Sequence, residues 1–136
     1  MEPFTALGFW LLDRLAAREQ RRRRVQVRVH RADAFTDGGK VDCYFVNVTN
    51  LSPQREIVVT HVWFETTPPV HVLNPQRPLP KRLALDEPWE TFAPVAAVPG
   101  DPERVLYLAR VRLSTRAVIK SRPAKNVPPY GTIPGG

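Results

Sequence analysis

Fifteen prolines in 136 residues constrain this chain more than any other feature. Average usage would give about seven. Each proline fixes φ and removes a backbone donor, so it ends helices and is barred from the middle of a sheet. Fourteen of them fall between Pro53 and Pro134, so that region must be built from short elements and many turns. The rest of the composition is ordinary, with 43% hydrophobic and 24% charged residues. A chain of this length is one domain, and its fold buries roughly two-thirds of the unfolded surface without needing staples.

Between the turns the hydrophobic period is two. Val25, Val27 and Val29 alternate with Gln26, Arg28 and His30, which predicts a half-buried strand before the Asp37-Gly38-Gly39 turn. Val41–Thr49 is apolar on both faces and closes at Asn50-Leu51-Ser52-Pro53. Ile57–Glu65 follows, with Val58, Val62 and Phe64 expected on one face and Ile57, Val59, His61 and Trp63 on the other. Val70–Leu73, Lys81–Leu85 and Trp89–Phe92 are short segments between proline-bearing loops. Val105–Leu113 alternates most cleanly, with Val105, Tyr107, Ala109, Val111 and Leu113 expected inward. Ala117–Ser121 completes a hairpin with it. A three-residue loop, Ser114-Thr115-Arg116, pairs Val111 with Ile119 on the core face, whereas a two-residue loop would send Ile119 outward. The opposite face then carries Arg110, Arg112, Val118, Lys120 and Arg122. About seven short strands with regular turn signals is the pattern of an antiparallel β-sandwich. No repeat is visible at the periods of solenoids or propellers.

Residues 3–24 read differently. Pro3 suits a first helical turn, and Phe4, Leu7, Leu11 and Leu15 recur on one helical face, widened by Trp10 and its neighbours. From Asp13 the helix turns polar and ends in Arg21, Arg22, Arg23 and Arg24, where cations suit the helix dipole. Charge follows the apolar run instead of preceding it, unlike a signal peptide. Phe4–Leu12 spans nine residues, and a bilayer crossing needs about 20. An amphipathic helix lying on a membrane surface or in a partner's groove is expected instead. The expected organisation is therefore a helix with an arginine cluster over residues 1–24, a sandwich over 25–122, and a proline- and glycine-rich tail over 123–136.

The segments Tyr44-Phe45-Val46-Asn47-Val48-Thr49-Asn50-Leu51-Ser52, Ile57-Val58-Val59-Thr60 and Leu79-Pro80-Lys81-Arg82-Leu83-Ala84-Leu85-Asp86-Glu87-Pro88-Trp89 resemble those of immunoglobulin-like sandwiches in small bacterial proteins of unknown function. Several of those proteins also begin with an apolar helix and a basic stretch. The resemblance covers roughly residues 25–122 and implies a fold rather than an activity. The chain departs from antibody domains in lacking paired cysteines, and its last hairpin loop has no glycine.

Chemistry is harder to find. Cys43 is the only cysteine, which excludes an internal disulfide and favours a cytoplasmic chain. It sits in an apolar strand, as a small core residue does. His61 and His71 lie on neighbouring segments, with Glu65 or Asp42 within reach, but no spacing demands a metal. No nucleophile elbow or glycine-rich phosphate loop is present. No cofactor and no enzymatic activity are expected.

The net charge is +7, and such a protein attracts nucleic acid, anionic lipid and acidic surfaces. The leading expectation is a non-enzymatic interaction module. Phe4, Leu7, Trp10, Leu11, Leu15 and Arg21 to Arg24 would tether it to a protein partner or to the cytoplasmic face of an anionic membrane, or join two copies. The alternative is a nonspecific nucleic-acid binder, with Arg21 to Arg24, Arg28, Arg110, Arg112, Lys120 and Arg122 as candidate phosphate contacts, the last four forming the anion-binding set, and Trp10, Trp63 and Tyr130 as candidate stacking platforms.

Overall fold

The computed structural model describes residues 25–124. The helix expected over residues 3–24, with all its site residues, and Tyr130 in the tail lie outside them. Within the described residues the protein is mainly β, with nine strands in two sheets.

The first sheet has the order β6-β2-β1-β9. Strands β1 (Val25–Thr36) and β2 (Gly39–Asn50) form a long antiparallel hairpin from the pair Val25 and Asn50 to the pair Thr36 and Gly39. Its turn needs the glycine, because Gly39 adopts φ +107°, a region that side chains rarely enter. Strand β6 (Pro88–Pro94) pairs with the far edge of β2. The two-residue β9 (Arg122–Pro123) runs parallel to β1.

The second sheet centres on β3 (Ile57–Phe64). One edge of β3 pairs with β4 (Val70–His71) and β5 (Lys81–Leu83), and the other with β7 (Ala109–Leu113), which continues to β8 (Val118–Lys120). The two sheets share one core, in which Val27, Val29, Tyr44, Val46 and Val48 of the first meet Val59, Val62, Phe64, Leu83 and Val111 of the second.

Strand β2 is buried on both sides, as its unbroken apolar run implies. Its other face joins Cys43 and Phe45 to Ala32 and Ala34 in a smaller cluster on the outside of the first sheet. The His30 ring stacks on Phe45 at 5.2 Å and helps to close that cluster. Cys43 is thus buried, though outside the main core, and burial pushes its thiol pKa up.

Three details of the sequence reading are corrected. A β-bulge falls between Val59 and His61. It inserts one residue and reverses the facing of everything before it, so Val59, and not Val58, joins Val62 and Phe64 in the core. The segment before Ala109 is not strand. Asp101 caps a helical turn, α1 (Pro102–Val105), by accepting from the Glu103 backbone N–H at 3.2 Å, with Pro102 at the first helical position. This cap and proline outweigh the alternation. Val105 still reaches the core, but Tyr107 is 58% exposed.

Arg122, thirdly, does not continue the final hairpin. The chain leaves the second sheet at Ser121 and pairs with the first. Ser121 is buried there. Its Oγ accepts from the Ala109 N–H and donates to the Leu106 carbonyl, at 3.0 and 2.9 Å.

The hairpin register is as the apolar pattern requires. Val111 pairs with Ile119, Arg112 with Val118 and Arg110 with Lys120. The Leu113 N–H donates to the Ala117 carbonyl across the Ser114–Arg116 loop. Arg116 takes φ +73°, the left-handed position that a glycine commonly fills in three-residue loops.

Candidate anion-binding face

Side chains alternate along each strand, so one outward row crosses the second sheet through residues in register. The pairs His71–Trp63, Trp63–Arg110 and Arg110–Lys120 lie side by side across β4, β3, β7 and β8. A second row places His61 beside Arg112, with Val118 beyond. His61 and Trp63 follow the bulge and stand two residues apart on β3, so both share the face of the arginines with which they pair.

Two observations characterise the face. First, Arg110 and Lys120 are direct cross-strand partners of like charge, an arrangement that costs stability. Among the described residues the ion pairs are Arg31–Asp42, Lys40–Asp33 and Arg82–Glu56, so none neutralises Arg110, Arg112 or Lys120. Second, several side chains here are already oriented. Arg110 Nη1 donates to the Tyr107 and Ala109 carbonyls, each at 2.9 Å, which leaves the rest of its guanidinium fork for a partner. The Trp63 indole N–H donates to Glu65 at 2.6 Å, and its ring lies 6.3 Å from that of His71 at a tilt of 35°. Glu65, the carboxylate at the margin, is thereby engaged by the indole.

The structure therefore brings together Arg110, Arg112 and Lys120 from the sequence-derived set and removes Arg122 to the other sheet. There Arg122 lies in register with Arg28 on β1. That pairing has no sequence signal, because a parallel contact between chain ends follows from the three-dimensional path alone. His61 and His71 do share a face, but as neighbours of Trp63 and the arginines. Among the described residues no group of three or more His, Cys, Asp or Glu side chains could hold a metal ion. Nor is any described helix long and apolar enough to cross a membrane.

A cleft of about 760 Å³ opens where β1, β8 and β9 meet. Arg28, Lys120 and Arg122 line it together with Tyr107, Leu51 and Ile119. Lys120 belongs to both the face and the cleft. Comparison with protein-family models, with curated proteins and with solved structures finds no match.

Proposed function

We propose that this chain is a non-enzymatic binding module of the immunoglobulin-like sandwich type, and that the outer face of its second sheet takes single-stranded nucleic acid without sequence preference. The row His71–Trp63–Arg110–Lys120 carries this reading. Sequence-tolerant strand binding needs cations for the phosphates and an aromatic ring on which a base can stack. The outer face of a sheet presents both at a regular spacing, and bound phosphates would relieve the repulsion between Arg110 and Lys120. Residues 3–24 enter this reading as a tether to an anionic membrane surface or a protein partner, leaving the sheet face free for its ligand.

The test is Trp63→Ala, measured by fluorescence anisotropy of a labelled single-stranded oligonucleotide. One lost base–aromatic stack is worth about 1–3 kcal/mol, so affinity should fall roughly fivefold to more than a hundredfold. Trp63 is only half-buried on the outer face, so the fold should persist, as a thermal melt would show. A folded variant that binds as the parent does would remove the face from the proposal.

A further inference from the structure

We infer that the cleft between β1, β8 and β9 is a site for a phosphomonoester, and specifically for the terminal phosphate of a nucleic-acid strand lying on the adjacent sheet. The inference deepens the proposed strand-binding function and rests on it for the identity of the larger ligand. Three features of the cleft carry it.

Its charge is one-sided. Among the described residues Arg28, Lys120 and Arg122 line it, and no carboxylate does. Arg28 and Arg122 are in-register partners on β1 and β9, so two guanidinium-bearing residues are held on neighbouring strands of a cleft that Lys120 also lines. Among the described residues none of the three is in an ion pair. Such a cluster repels itself until an anion enters, and guanidinium groups match phosphate oxygens in bidentate fashion. Three cations suit a dianion better than a monoanion. A terminal monoester carries a charge of about −1.5 to −2 at neutral pH, whereas an internal diester carries one negative charge.

Its walls are mixed and partly fixed. Leu51 and Ile119 supply apolar surface and Tyr107 a solvent-facing ring, the combination a base and sugar would use. Ser121 anchors the wall through its bonds to Ala109 and Leu106, and Arg28 Nη1 donates to the Val27 carbonyl at 3.1 Å. The volume lies within the roughly 300–1,000 Å³ usual for small-ligand sites.

Its position is continuous with the face. Lys120 pairs with Arg110 on the sheet and also lines the cleft. A strand following the cations across the sheet meets the cleft next, and its chain end supplies the dianion that three cations suit.

The experiment compares one single-stranded oligonucleotide with and without a terminal phosphate, at both ends in turn, on the full chain. A nucleoside monophosphate and the matching nucleoside are titrated separately by NMR. The phosphorylated strand should bind about tenfold tighter, a gain that a few charge-assisted hydrogen bonds supply. That preference should vanish in Arg28→Gln/Arg122→Gln. It should persist in Arg110→Gln/Arg112→Gln, where both strands weaken together. If both strands bind equally but still depend on Arg110, the cleft inference fails and the face stands. If neither strand binds while the monophosphate does, in an Arg122-dependent manner, the phosphate site stands and the strand-binding function fails. A monophosphate that leaves the cleft resonances unmoved at millimolar concentration overturns the inference. Unchanged melting of each variant shows that the comparison is between folded proteins.

Discussion

Asn50 offers the most quantitative test of how the body is held together. It is fully buried at the end of β2. Its Nδ2 donates to the Arg55 and Ala84 carbonyls at 2.8 and 3.1 Å, with the Leu83 carbonyl at 3.3 Å. Its Oδ1 accepts from the buried Ser52 N–H at 3.0 Å. One amide thus ties the end of the first sheet to the loop after it and to β5 of the second sheet. Asn50→Ala removes these bonds, each worth about 1 kcal/mol net, and strands a buried N–H at a further cost of about 1–3 kcal/mol, so a loss of roughly 3–4 kcal/mol is expected. That is a large share of a typical stability of about 5–15 kcal/mol. Urea unfolding followed by tryptophan fluorescence reads it directly. At a slope of about 1–3 kcal/mol per molar, the midpoint should fall by roughly 1–4 M. Asn50→Asp keeps the acceptor but points charge at carbonyl oxygens, so it should be as damaging at pH 7 and recover in acid. An Asn50→Ala midpoint within about 0.3 M of the parent would refute this reasoning.

Three further outcomes are expected. Val111→Asp places an unpaired charge in the centre of the shared core and should abolish cooperative folding or lower the melting temperature steeply. Arg116→Gly relieves a left-handed residue at φ +73° and should stabilise by several tenths to about 1 kcal/mol, checked by the same urea titration. Burial raises the Glu90 pKa above its ordinary 4.5 and lowers the His30 pKa below 6.5. Folding therefore favours neutral Glu90, so Glu90→Gln should stabilise at pH 7, with the gain gone below about pH 4.5. Folding also favours neutral His30, whose contribution is present above pH 6.5 and lost as pH falls through its lowered value. His30→Gln should flatten that acid-side decline.

Much of the β body was legible in the sequence. Val25, Val27 and Val29, the doubly apolar run around Tyr44 and Phe45, and the three-residue loop that pairs Val111 with Ile119 all follow from period-two burial. Three kinds of information were not. The bulge at Thr60 changes facing without changing composition, so Val58 and Val59 are indistinguishable until the register is seen. The Asp101-Pro102 cap was written in the chain, but the stronger alternation from Val105 to Leu113 masked it. Asn50 looked like part of a turn, because its partners Leu83 and Ala84 are distant in sequence. The same holds for the site. Arg110, Arg112 and Lys120 share a face because they alternate on one hairpin, which is local. The addition of Trp63 and His71, and the departure of Arg122 to join Arg28, depend on which strands become neighbours.

The salt dependence of single-strand binding tests the central proposal most directly. Each phosphate contact contributes a slope of about −0.7 in log K against log salt for single strands. Wild-type protein should bind a short oligonucleotide with a clear negative slope, and replacing Arg110, Arg112 and Lys120 together with Gln should reduce its magnitude by about 2 while the fold melts unchanged. An unaltered slope in the triple variant, or no binding by the wild type at low salt, would contradict the assignment of this face.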